Sequence, residues 1–180
     1  MTSKNTPVKT KSRFPISVNE LKPHLDIYTN ETDNDDYLDF LIKSSTRAVE
    51  NFIDKDVAYT SNVLTEYDFY DDFIRVNEGN LVSVSDISIN GTSKNTYELQ
   101  KFDDRFTIEW DSAFGGDDYT LSLSFITGYD PDDVPEDIKL AVMVMCKQLF
   151  DIDRGGYTYN SLVKSNLFER LLYPYRCIRW

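Results

Sequence analysis

The spacing of apolar side chains changes period twice along this 180-residue chain. Between residues 35 and 54, Leu38, Leu41, Ile42, Ala48, Val49, Phe52 and Ile53 recur three and four positions apart, the signature of a helix with one apolar face. Asp33 or Asn34 can cap it, and Asp35 and Asp36 then lie at the positive end of its dipole. Further on the period falls to two. Phe106, Ile108 and Trp110 alternate with polar residues, as do Tyr119, Leu121, Leu123 and Phe125, and residues 64–69, 73–76 and 82–89 read as further strands. Val82 and Val84 are out of phase with Ile87 and Ile89, which predicts a bulge near Ser85 and Asp86. Asn90-Gly91 and Gly115-Gly116-Asp117-Asp118 carry turn chemistry. Helical character returns at Pro135, pre-set for a first helical position, with Glu136 and Asp137 behind it. Residues 140–146 are apolar without a break, which predicts a helix buried on nearly all sides.

Two shorter helices complete the pattern. Ser17 followed by Glu20 is a capping box for a helix over about 17–25 anchored by Val18 and Leu21, although Pro23 is awkward beyond the first turn or two. Residues 153–156 interrupt the helix that begins at Pro135. The last helix, about 160–172, gathers Leu162, Val163, Leu167 and Leu171 on one side and should stop before Pro174. The fold class is therefore α+β, a small helical bundle with an antiparallel β insertion between the second and third helices. Its predicted layout is a flexible basic N-terminal arm (1–13), a single domain (14–172) and an extended C-terminal tail (173–180). The helices span about 17–25, 35–54, 135–150 and 160–172, and the β insertion about 57–127.

A hydrophobic fraction of 41% over 180 residues suits one domain with a real core. No run has the roughly 20 apolar residues of a membrane span, and residues 1–11 lack the apolar stretch of a secretion signal, so neither a membrane nor that export route is expected. Cys146 and Cys177 share no metal-binding or redox spacing, as expected in a reducing compartment. The net charge of -12 argues against a protein that coats DNA, which needs clustered cations. That charge is uneven. Lys4, Lys9, Lys11 and Arg13 make the N-terminus basic, Lys164, Arg170, Arg176 and Arg179 outnumber Glu169 at the other end, and the body between is strongly acidic. Solvated loops kept for solubility explain such a body as readily as any partner does.

Catalytic chemistry is hard to assemble from these residues. The single histidine, His24, lies beside Pro23, and no nucleophile elbow occurs anywhere in the chain. Cys146 falls inside the apolar run and reads as a small buried hydrophobe. The clusters at residues 33–36, 103–104, 117–118 and 130–133 can bind a divalent cation in principle, but none has EF-hand spacing, and caps and turns account for most of them. Gly115-Gly116 is followed by two aspartates, which would repel a phosphate. No catalytic, cofactor or metal residue is assigned. The tail is a different matter. Tyr173, Tyr175, Arg176, Ile178, Arg179 and Trp180 are of the aromatic, apolar and arginine types that anchor interfaces, with folding back onto the subunit's own core as the alternative.

Two stretches resemble the head-to-tail connector (adaptor, head-completion) family of tailed bacteriophages. One is the acidic, amphipathic helix Asp35-Asp36-Tyr37-Leu38-Asp39-Phe40-Leu41-Ile42, continuing through Ala48-Val49-Glu50-Asn51-Phe52-Ile53. The other, more specific, is Ile126-Thr127-Gly128-Tyr129, a short acidic loop, then Val134-Pro135-Glu136-Asp137-Ile138-Lys139, leading into the apolar helix and ending near Asp153-Arg154. With the ending Leu171-Leu172-Tyr173-Pro174-Tyr175-Arg176, the resemblance covers roughly residues 16–177. It implies a non-enzymatic virion protein, assembled in the host cytoplasm as a ring of typically twelve copies beneath the portal. The implied partners are the portal protein, neighbouring copies and the next neck or tail protein, with DNA passing through the ring unread. It also implies that the tail residues Tyr173, Tyr175, Arg176, Ile178, Arg179 and Trp180 dock on the portal. The basic arm and the long β insertion depart from the family. A different neck or tail-completion protein and an Asp-rich metal-dependent hydrolase are the rival readings.

Overall fold

The computed structural model describes residues 5–111, 119–153 and 167–177. Helices α1 (Val18–His24), α2 (Asp35–Ile53), α3 (Glu136–Asp153) and α4 (Leu167–Leu172) enclose one apolar core. A second core lies within the β insertion, formed by β2 (Tyr59–Glu66), β3 (Phe73–Val76), β4 (Leu81–Ile89), β5 (Thr92–Ser93), β6 (Glu98–Lys101), β7 (Phe106–Glu109) and β8 (Leu121–Thr127). The chain is thus α+β, with strands β2–β8 inserted between the second and third helices as the pattern predicts. No helix among the described residues is long and apolar enough to cross a membrane.

Helix α2 buries Leu38, Leu41, Ile42, Ser45, Thr46, Val49, Glu50 and Ile53, an unbroken alternation of three- and one-residue steps. Its N-cap is Asn34, but the side chain makes no capping bond and its Nδ2 donates to Glu31 Oε1 instead (3.3 Å). The N-terminus of α2 is held from another direction. Lys22 of α1, only 1% exposed, places Nζ 2.7 Å from Asp35 Oδ1 and donates to the Thr29 carbonyl at 3.3 Å, which ties α1 to the start of α2. A buried ammonium is tolerated only with such partners. At the other end Asp54 adopts the left-handed conformation (φ 58°) and donates its N–H to Glu50 O, ending the helix.

Helix α3 is less covered than its sequence predicts. Ile138, Ala141, Val142, Cys146 and Phe150 are buried against the other helices, whereas Met143, Val144 and Met145 are half-buried and Leu140 is 39% exposed. Among the described residues α1, α2 and α4 pack against this helix and still leave Leu140 exposed, so an apolar run does not guarantee burial all round.

The insertion is two sheets rather than one. A five-stranded sheet has the order β1-β2-β8-β4-β5, with β1 (Val8–Arg13) at its edge, and a three-stranded sheet the order β3-β7-β6. Strand β8 is central, burying Leu121, Leu123, Phe125 and Thr127 alternately. The Phe106 and Phe125 rings meet edge to face at 5.1 Å between the sheets. The β4–β8 register shifts between Val84 and Asp86, the bulge anticipated from the phase change, and again between Leu81 and Ser83. Asn90 and Gly91 both take positive φ (51° and 75°) in a two-residue hairpin, the conformation that Asn-Gly favours. The predicted turn at residues 115–118, the break at 154–156 and the first part of the last predicted helix lie outside the described residues.

The largest departure is at the N-terminus. Val8–Arg13, expected as flexible arm, is strand β1, paired antiparallel with β2 from Val8↔Val63 to Arg13↔Tyr59. All six of its residues are exposed, so it leaves no hydrophobic signature to read. It lies on the sheet edge through ladder hydrogen bonds and the ion pairs described below.

The capping box predicted at Ser17 is present: its Oγ accepts the Glu20 N–H (3.3 Å), and its own N–H donates to Glu20 Oε2 (2.6 Å). The Ser17 hydrogen bonds hold the Glu20 carboxyl below its ordinary value of 4.5. A lowered folded-state pKa contributes stability above 4.5 that is lost as pH falls through the folded value. Ser17→Ala should therefore cost about 1 kcal/mol near neutral pH, and urea titrations should show the gap from wild type closing in acid.

Candidate interaction surfaces

The two cores meet at a buried polar junction. Glu50, on the last turn of α2 and 7% exposed, accepts the N–H groups of Val57 and Ala58 at Oε1 (3.0 and 3.1 Å), while Oε2 accepts Lys11 Nζ of β1. Asp56 accepts Thr127 Oγ1 (2.6 Å) and Lys9 Nζ (2.9 Å) at Oδ2. Thr127 Oγ1 in turn accepts Asn62 Nδ2 at 2.8 Å. Gly128 follows at φ 95°, where an added Cβ would lie 2.1 Å from the Ala58 carbonyl oxygen. Its N–H donates to Asn80 O (3.0 Å) and that of Tyr129 to Val57 O (3.1 Å). The Ile126-Thr127-Gly128-Tyr129 stretch is thus where the chain leaves the sheet for α3.

Strand β1 is clasped onto this junction by alternate cations. Lys9 bonds Asp56 and also Glu78 (2.8 Å), Lys11 bonds Glu50, and Arg13 pairs with Asp130 (2.8 Å) while its guanidinium lies 3.9 Å from the centre of the Tyr59 ring. Partial burial would lower the Lys9 pKa, but hydrogen bonding to Glu78 and the charge of Asp56 outweigh it and raise the value overall. Sequence reading missed this role because an acid such as Glu50 on a helix passes for a surface charge. Beside the clasp opens a cleft of about 610 Å³, lined by Phe14, Lys43, Arg47, Asn51, Asp54 and Lys55 as well as the clasp residues. Lys43 pairs with Asp39 (2.5 Å), whereas Arg47 and Lys55 have no ion-pair partner among the described residues.

The C-terminal tail is not extended where first expected. Tyr173–Tyr175 forms a 3-10 turn with Pro174 near its start, a position where the missing N–H costs nothing, and extended backbone begins only at Arg176. Cys177 donates its N–H to Ile53 O (2.8 Å). Tyr175 packs against the helical core, and its OH lies 3.4 Å from Asp137 Oδ2; partial burial together with the Asp137 carboxylate pushes its phenol up. The Arg176 guanidinium sits 5.6 Å from the Phe52 ring centre. Tyr173 points outward, 66% exposed. This part of the tail therefore folds back on α2 and α3 while leaving Tyr173 and Arg176 on the surface. Ile178, Arg179 and Trp180 lie outside the described residues.

The residues considered for catalysis are dispersed. His24 is half-buried; its carbonyl accepts Lys147 Nζ (3.4 Å), and its Nε2 has no hydrogen-bond partner among the described residues. The Cys146 thiol is buried, donates to Ser45 Oγ (3.3 Å), and is pushed by burial up to about 11, far from a reactive thiolate. Asp35, Asp104 and Asp130 are engaged with Lys22, Arg105 and Arg13. Among the described residues no three His, Cys, Asp or Glu side chains converge as metal ligands.

No family model matches the chain, and no curated protein matches it in sequence. Its fold is nevertheless shared end to end by solved chains. One from the virion of a native gene transfer agent (GTA) particle matches with TM-score 0.74 and 16% identity, over 96% of this chain and 97% of that one. A chain from the neck of an empty GTA particle, computed with C6 symmetry, gives 0.71 and 16% over 96% and 97%. Another, from the neck of a native GTA particle computed with C12 symmetry, gives 0.71 and 15% over 98% and 97%. At these identities the likeness is one of fold, and it includes both the helices and the β insertion.

The junction makes two expectations concrete. Glu50→Ala strands two buried N–H groups and the Lys11 ammonium, so it should cost about 3 kcal/mol, against about 1 kcal/mol for Lys11→Ala, whose loss leaves the carboxylate bonded to the backbone. Gly128→Ala should cost about 3 kcal/mol or more, because backbone and not a flexible side chain occupies the space. Equilibrium urea unfolding of the three variants checks both.

Proposed function

We propose that this chain is a structural, non-enzymatic subunit of the neck of a tailed-phage-like virion. It forms a ring with neighbouring copies, joins the portal vertex of the DNA-filled head to the tail, and borders the DNA exit channel. The observation that carries this reading is the end-to-end fold likeness to chains of GTA particle necks, which spans nearly the whole of both molecules. The C6 and C12 symmetries of those necks favour a ring, most simply of twelve copies.

Physical features of the subunit suit the role. The partly uncovered side of α3, with Leu140 and Val144, offers apolar surface to a neighbour, as a ring member requires. A net charge of -12 disfavours adhesion to a sliding duplex, so DNA passes without being bound in sequence-specific fashion. The tail docks on the portal through the outward-facing Tyr173 and Arg176 and through Ile178, Arg179 and Trp180, while Tyr175 serves as the inward anchor.

Removing residues 178–180 should leave the melting temperature within a few degrees of wild type and abolish co-sedimentation with portal rings. Retained binding at normal stability would remove the tail from the portal contact. Electron microscopy of particles carrying a labelled chain tests the wider reading: label between head and tail is expected, and label on the tail tip or capsid faces would contradict it.

A further inference from the structure

The far end of the β insertion and the place where the insertion meets α2 carry groups of opposite charge that have no ion-pair partner among the described residues. At the far end is the turn between β2 and β3, residues 67–72. Phe69 at its centre is fully buried, stacks edge to face on Trp110 (5.8 Å between ring centres) and donates its N–H to Tyr119 O (2.8 Å), so the turn is pinned from below. Pinning Phe69 inward turns its neighbours outward: Tyr67 is 66% and Tyr70 55% exposed. Asp68 and Asp72 beside them are exposed and have no ion-pair partner among the described residues. Tyrosines on a turn pinned by Phe69, with Asp68 and Asp72 nearby, make a pre-organised contact surface, since little backbone entropy is lost on docking.

At the near end, one length of β2 away, lies the cleft beside the β1 clasp. Eight residues at roughly 3.3 Å each separate the two by about 25 Å. In the cleft Lys9, Lys11 and Lys43 are committed to carboxylates of their own subunit, and Arg47 and Lys55 are not. Among the described residues, two carboxylates without an ion-pair partner and two exposed phenol rings therefore stand at one end, and two such cations at the other.

We infer that the turn at residues 67–72 of one copy seats in the Arg47 and Lys55 cleft of the next copy, an inference that rests on the ring proposed above. Copies with a net charge of -12 repel one another, so a contact that sets acids of one against cations of the other offsets part of that repulsion, and this cleft holds two cations with no ion-pair partner among the described residues. The pairing is heterologous: two different patches of the same body meet head to tail, the arrangement that generates a ring where the rotation between copies closes. A symmetric pairing of two turns would instead set Asp68 and Asp72 against their own copies. In the seated arrangement Asp68 and Asp72 face Arg47 and Lys55, and a tyrosine ring covers the Arg47 guanidinium.

Charge exchange on the full chain tests this. One variant reverses the turn (Asp68→Arg with Asp72→Arg) and the other reverses the cleft (Arg47→Glu with Lys55→Glu). Sedimentation at low ionic strength should show wild-type association weakened about tenfold or more in either variant alone. An equimolar mixture of the two should recover it, because reversed turn then meets reversed cleft and normal turn meets normal cleft. Carbodiimide coupling between isotopically labelled and unlabelled wild-type copies should join Asp68 or Asp72 of one copy to Lys55 or Lys43 of another. Tyr67→Ser with Tyr70→Ser, which alters no charge, should weaken association without being rescued by either reversed partner. Undiminished association of a reversed variant, a mixture that fails to recover, or absence of wild-type coupling would overturn the inference. So would retention of duplex DNA by the cleft without copy-to-copy coupling. Rings closing through some other contact would overturn it while leaving the neck reading intact, whereas label absent from the neck of particles would strike that reading itself.

Discussion

Everything in this fold is arranged around a carboxylate that has been taken out of water. Glu50 would be costly in its buried position if either oxygen lacked a partner. One oxygen is filled by the Val57 and Ala58 N–H groups and the other by Lys11. Those bonds fix the angle at which the chain leaves α2 and enters β2. The direction of β2 sets β8, its partner over seven residue pairs, and β8 returns the chain to the same spot through Thr127 and Gly128. The helical core and the β core are consequently joined at a place the chain crosses twice, once on leaving the bundle and once on coming back.

In the proposed neck role, bridging two assemblies, such a joint would matter. Were the insertion free to swing on the bundle, contacts made by one half would not position the other. Strand β1 adds a third crossing in a different currency. It contributes no buried apolar side chain, and its hold depends on the backbone ladder and on Lys9, Lys11 and Arg13 reaching acids of the helix, the loops and the approach to α3. The basic N-terminus and the acidic body are therefore two sides of one set of contacts, and the charge asymmetry visible in the sequence is partly consumed inside the subunit.

How far the sequence discloses this depends on whether an element is defined by buried carbon. Helix α2, the alternation of β8 and the β4 bulge near Ser85 are legible because apolar side chains mark their phase. Strand β1 is not, since every residue in it faces solvent, and the short β5 and β6 carry too few apolar positions to show a period. The division of the insertion into two sheets is invisible for another reason: alternation tells which face is buried but not which strand lies alongside. Glu50 and Lys22 read as surface charges, because burial of an ion is decided by partners far away in sequence. At the C-terminus Pro174 reads as a helix stop, yet a 3-10 turn accommodates it, and Tyr175 points back to the core that its aromatic character suits equally well. The resemblance to connector proteins rests partly on Ile126-Thr127-Gly128-Tyr129, and in the structure that stretch is the return through the junction.

The two cores should behave as one body, and native-state hydrogen exchange measures that directly. Amides of Ile42, Val49 and Val142 in the helical core and of Leu64, Ile108 and Leu123 in the β core should open with a common free energy equal to that of global unfolding. A β core that exchanges through an opening of lower free energy, with the helical amides still protected, would contradict the account.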